Sequence, residues 1–149
     1  MARESEARVV ARARRAARKL LVQALYQHQL NDTSWQDLYN QHMADPESAG
    51  ADPDYFRSLL ERITAGKAAL DEVLARFSDI PPARLDPIEH AVLWVALAEL
   101  NDRPDVPYRV AISEAVELTK RFGATDGHKY VNGVLDRAAA ALRPNERRA

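Results

Sequence analysis

Near the start of the chain, Arg8, Arg12, Arg15, Lys19, Gln23 and Tyr26 follow one another at steps of four, three, four, four and three residues. On a helix such steps keep side chains on one face. Lys19 lies seven residues beyond Arg12, and Tyr26 seven beyond Lys19, so these three project in nearly the same direction. Arg14 and Arg18 sit four apart on a neighbouring row. Guanidinium groups bind phosphate and stack on bases, and a tyrosine ring offers a face to an unpaired base. The chemistry open to this stripe is therefore recognition of single-stranded RNA. A solvated basic face with Tyr26 packed on a neighbouring helix has the same spacing, and spacing alone leaves both open.

A second candidate is the turn Ala124 to Tyr130, with sequence ATDGHKY. It combines a helix N-terminus, which favours phosphate, with His128, Lys129 and the aromatic Tyr130. Asp126 most simply caps the helix that follows, and Tyr130 can equally be core. Asn132 and Gly133 are unusual inside a helix. Gly133 costs about 1 kcal/mol against alanine there, which points to close helix packing or to a partner's approach.

Residues fit for catalysis are few. There is no glycine-rich phosphate loop, no GxSxG elbow and no HExxH. His28, His42, His90 and His128 are isolated from one another and lack metal-ligand spacing. His90, beside Glu89, reads as an exposed first-turn residue. No motif argues for catalysis, and none for a cofactor or a metal. The chain has no cysteine, which favours a reducing, cytoplasmic setting and excludes disulfides and thiolate metal sites. The charged N-terminus is unlike a signal peptide.

The elements that must position these residues are all helical. The apolar period predicts a long helix over 8–30 burying Ala13, Ala17, Leu20, Leu21, Ala24, Leu25 and His28. A turn over 31–34 and a short helix over 35–43 follow. An acidic loop, 45–54, leads to a helical stretch over 55–77 in which Gly66 is a break or bend. The linker DIPPARLD (79–86) then precedes the most apolar helix candidate, 87–101. That helix is apolar nearly all round, so other helices must cover it. Its start is signed by Asp86 as cap, Pro87 at the first position and Glu89 three residues on. Helices over 108–122 and 127–142 complete the set, with Gly123 in the left-handed conformation after the first of them. Residues 1–7 are expected to fray. No segment alternates with the period of a strand. The 149 residues suit a single all-α domain around one central helix, with an N-terminal half over about 8–79 and a C-terminal half over about 86–142.

The net charge of −1 conceals an asymmetry. Residues 1–31 carry seven Lys/Arg against two Glu, 32–105 carry six against fifteen acids, and 106–149 carry eight against five. Basic ends around an acidic middle suit a polyanion on one face and a basic partner on another; solvated surface charge gives the same count.

Four segments, taken in order, carry a resemblance: ARRAARKLLVQALYQHQL (13–30), DPIEHAVLWVALAEL (86–100), RPDVPYRVAISEAVELTKRFG (103–123) and HKYVNGVLD (128–136). Over nearly the whole chain the sequence resembles the NusB transcription antitermination family. The resemblance implies an all-helical fold of about six to seven helices in two small subdomains. It implies an adaptor, not an enzyme, that binds single-stranded boxA RNA of nascent ribosomal RNA transcripts together with NusE, which is also a small-subunit ribosomal protein. The pair would join a complex on RNA polymerase. By position, the family's basic helix falls on Arg14, Arg15 and Arg18, beside Lys19, with its aromatic at Tyr26. The family's aspartate in the turn before the last helix falls on Asp126 and its aromatic there on Tyr130, beside His128 and Lys129 of the same turn. The NusE-facing surface would involve Glu89, Glu99 and Arg103. Many relatives have serine at the position of Gly127 and phenylalanine at that of Tyr130, and Ala16 and Ala17 dilute the basic run. The same fold also occurs at the N-terminus of ribosomal RNA cytosine methyltransferases, an alternative that the chain's end at Ala149 counts against. A module that dimerises and binds no RNA alone is the third reading, and monomer or dimer is left undecided.

Overall fold

The computed structural model describes residues 5–148, with side chains placed to Glu146. Among the described residues there are eight α-helices, two single-turn 3-10 segments and no strand. The chain divides into two compact units, one running to Thr64 and the other starting at Ala65.

In the first unit, α1 (Glu6–Asn31) is capped by Ser5, whose side chain accepts from the Arg8 N–H. The helix therefore begins inside the stretch expected to fray; the part of that expectation covering residues 1–4 lies outside the described residues. It ends at Asp32 in a left-handed conformation, φ 54°. The inward row is Ala17, Leu20, Leu21, Ala24, Leu25 and His28, with Ala13 only half-buried. Ser34 caps α2 (Trp35–Ala44) by accepting from the Asp37 N–H. A 3-10 turn at Pro46–Ser48 leads to α3 (Pro53–Ala65), which buries Tyr55, Phe56, Leu59, Leu60 and Ile63. The Asp52 N–H donates to the Ala13 carbonyl and the Asp52 carboxylate caps Tyr55, so the acidic loop is tied to α1.

Gly66 ends α3 and starts α4 (Lys67–Phe77), as its helix-breaking character requires. The sequence grouped α4 with the first half; it packs instead on helices of the second unit. There α5 (Pro87–Asp102) is buried continuously from Glu89 to Leu100. Asp86 accepts from the N–H groups of Ile88 and Glu89 at 2.9 and 3.2 Å, with Pro87 at the first position. Helices α4, α6 (Tyr108–Phe122) and α7 (Gly127–Leu142) pack against it. Each fully buried leucine contributes about 1.5–3 kcal/mol of burial.

The end of α5 is closed by a residue with no sequence signal. Arg143, just past α7, donates from its guanidinium to the carbonyls of Glu99, Leu100, Arg103 and Val106 at 2.8–3.1 Å. The last carbonyls of a helix lack partners within it, and a five-donor fork satisfies several at once. Glu146, on the short α8 (Pro144–Arg148), pairs with Arg143 and accepts the Tyr108 N–H at 2.9 Å, so it caps α6.

Candidate nucleic-acid interface

The first candidate patch lies on α1. The N-terminal turns of this helix are exposed on every side, so Arg8, Arg12 and Arg15 all stand at the surface. Lys19 and Gln23 are half-buried, and Tyr26 is 38% exposed at the far end of the row. The neighbouring row turns inward. The Arg14 guanidinium lies 4.6 Å from the centroid of the Tyr55 ring and that of Arg18 lies 5.7 Å from it. Arg14 keeps partial exposure, whereas Arg18 is 3% exposed. This corrects the surface role given to Arg18: it is a buried cation on an aromatic face, an arrangement worth about 0.5–2 kcal/mol. Tyr55 had no signal in the spacing around α1, because its contact with Arg14 and Arg18 is long-range.

The second patch is the turn before α7, and its geometry departs from the expected cap. Asp126 is left-handed, φ 64°, and its side chain makes no capping bond; it lies 3.4 Å from Lys129 Nζ instead. Both side chains are exposed and His128 is half-buried. Gly123 is extended, φ −87°, not left-handed. Its glycine is required by crowding, since a Cβ there would stand 2.8 Å from the Thr119 carbonyl oxygen. A Cβ at Gly127 would stand 2.8 Å from Glu89 Oε1. The half-buried Tyr130 shares a hydrogen bond with Ser78 through its hydroxyl, and burial, chiefly, holds its pKa above the ordinary 10. No neighbouring helix crowds Gly133: a Cβ there would meet only the end of Arg137, at 3.4 Å, which removes close helix packing as its explanation.

Two of the three partner-facing candidates are also inside. Glu99 is 1% exposed. Glu89 is buried beneath the turn; burial pushes its carboxyl above the ordinary 4.5, the charge of Asp86 adds to this, and the Ala124 N–H opposes it by donating to the carboxylate. Arg103 is half-buried, with its side chain 3.9 Å from Asp105. His90 is buried, not exposed: its Nε2 lies 2.7 Å from Asp71 Oδ1, which also accepts the Trp94 indole N–H at 2.8 Å. That set joins α4 to α5.

Among the described residues, no group of histidine and acidic side chains could hold a metal ion, and no helix is long and apolar enough to cross a membrane. What the α1 row can do is hold phosphates along one helix face and offer a ring to a base.

Fold and patches together define an all-helical protein in two units with a cationic first helix. The chain belongs to the NusB family, whose model matches residues 15–140. It is 49% identical over 132 residues to the transcription antitermination protein NusB of Idiomarina loihiensis, covering 89% of this chain and 95% of that protein. It is 47% identical over 135 residues to the protein of the same name from Citrobacter koseri, covering 91% and 97%. A solved structure of NusB from T. maritima superposes with a TM-score of 0.78 at 28% identity, covering 91% of this chain and 97% of that one.

Proposed function

We propose that this protein is a cytoplasmic transcription antitermination factor that binds single-stranded boxA RNA together with NusE and joins the RNA polymerase complex on ribosomal RNA operons. The observation that carries this is the exposed row Arg8, Arg12, Arg15 and Tyr26 on α1, in a chain of this family. Phosphates lie along the guanidinium groups and Lys19, and a base stacks on Tyr26. Arg14 contributes from the edge of the row, and Arg18 acts by fixing Tyr55 beneath it. Asp126, His128, Lys129 and Tyr130 supply a second contact of the same chemistry in the other unit. With Glu89 and Glu99 inside, the acidic middle meets basic NusE through surface carboxylates near Arg103, where long-range attraction raises the association rate.

The test is titration of the purified protein with a boxA strand and a scrambled strand, with and without NusE, at two salt concentrations. Preference for boxA that sharpens with NusE is expected. Equal, weak binding to both strands that salt abolishes would reduce the stripe to a nonspecific cationic face. A second reading, self-association through α1, is favoured by the exposure of Val9 and Val10 beside the arginines; a dimer that RNA fails to dissociate would support it.

A further inference from the structure

The first unit contains a second aromatic platform that the stripe does not use. Trp35 and Tyr39 lie four residues apart on α2 and so share a face. With Gln36, Asn40 and Arg57 of α3 they line an open depression of about 240 Å³. That is below the roughly 300–1,000 Å³ that encloses a drug-sized ligand, and it suits one planar ring system. The floor is preorganised. Tyr39 is stacked on the buried Phe56 with ring centroids 6.1 Å apart and planes 21° apart, and the Arg57 guanidinium lies 5.4 Å from the Trp35 ring. Gln36 and Asn40 add amide donors and acceptors able to read a base edge. The contrast with the other tryptophan is informative: Trp94 is 3% exposed with its indole N–H on Asp71, whereas Trp35 is only half-buried among polar groups.

The platform is also fixed to the helix that carries the stripe. Gln27, next to Tyr26, and Gln41 of α2 exchange amide hydrogen bonds at 3.0 and 3.1 Å. Beyond Arg57 lies a second depression, about 450 Å³, lined by Asp54, Arg57, Ser58, Glu61 and Arg62. Its two carboxylates oppose its two guanidinium groups, so it offers phosphate no net attraction. The aromatic half alone has the composition of a base site: rings for stacking, amides for the edge and one cation beside them.

We propose that Trp35, Gln36, Tyr39, Asn40 and Arg57 form an accessory subsite that takes one unpaired nucleobase of the RNA strand held by α1. This rests on the RNA-binding reading above and extends the footprint onto α2 and α3. Because Trp94 is buried, emission that responds to RNA reports Trp35.

The test is titration of the full chain with a boxA oligoribonucleotide, following polarisation of the labelled RNA and tryptophan emission together. RNA is expected to quench emission. Trp35→Phe should abolish the quench while keeping a stacking ring and most of the affinity. The surface double variant Asn40→Ala/Arg57→Ala, which keeps both rings but loses the edge amide and the cation, should lose roughly five- to tenfold in affinity, the scale of one hydrogen bond. RNA bound without quenching, with the double variant as tight as the parent, would overturn the subsite and leave the α1 reading standing. Failure of the parent to bind RNA at all would overturn both. A double variant that loses affinity for NusE but not for RNA would reassign the groove to protein docking and overturn the proposal.

Discussion

The outward arginines of α1 and two arginines of the second unit, Arg137 and Arg143, are put to different uses. In the first unit, Arg8, Arg12 and Arg15 stand at the surface. In the second, Arg137 donates to the Phe77 carbonyl at 2.7 and 3.0 Å, and Arg143 closes the end of α5. Both ends of the chain are basic by count, yet Arg8, Arg12 and Arg15 form an exposed row while Arg137 and Arg143 are turned onto backbone carbonyls. Within α1 the same division recurs between adjacent rows, Arg15 outward and Arg18 buried over the Tyr55 ring. A positive count measures the field around a protein; it does not distinguish a guanidinium open to a ligand from one that holds backbone or a ring.

That distinction can be broken most forcefully at Arg143. Arg143→Met strands the carbonyls at the end of α5, and should cost roughly 2–3 kcal/mol by denaturant titration. A loss under about 0.5 kcal/mol, the usual size of a surface substitution, would place Arg143 with the surface cations. Arg18→Ala should cost about 1–2 kcal/mol through its lost packing on Tyr55 and leave the salt dependence of RNA binding unchanged. A flattened salt dependence with intact stability would return Arg18 to the RNA row.

A smaller effect separates Glu89 from surface carboxylates. Its native carboxyl holds its proton above the ordinary 4.5, so ionising it weakens the fold. The penalty is absent well below 4.5 and grows as pH rises through the native value. The Tm of Glu89→Gln relative to the parent should therefore rise between about pH 4 and pH 7. A difference that stays flat or falls would show that burial does not raise the Glu89 pKa.

Helix boundaries were legible where their causes are local. Asp86 and Pro87 set the start of α5, and the expected bounds of α6 and α7 match the structure. The buried row of α1 followed from its period because one side chain at each step must leave water. What could not be read depends on partners distant in sequence: Tyr55 under Arg14 and Arg18, Asp71 under His90, Arg143 on α5. Asp126 misled for another reason. An aspartate before a helix is a cap by type, but at φ 64° its carboxylate accepts from no N–H of the first turn and lies beside the Lys129 ammonium instead. Of the candidate site, the exposed row was present in the spacing, while Arg18 and Glu99, placed by family position, turn inward.

Whether the outward row of α1 holds RNA phosphates is read from the salt dependence of RNA binding in Arg12→Ala/Arg15→Ala. Both residues are exposed, so stability should stay within about 0.5 kcal/mol of the parent. Affinity for a boxA strand should fall, and the slope of log K against log salt should flatten by roughly 0.7 for each phosphate contact removed. Unchanged affinity and an unchanged slope in a stably folded variant would take α1 out of the interface.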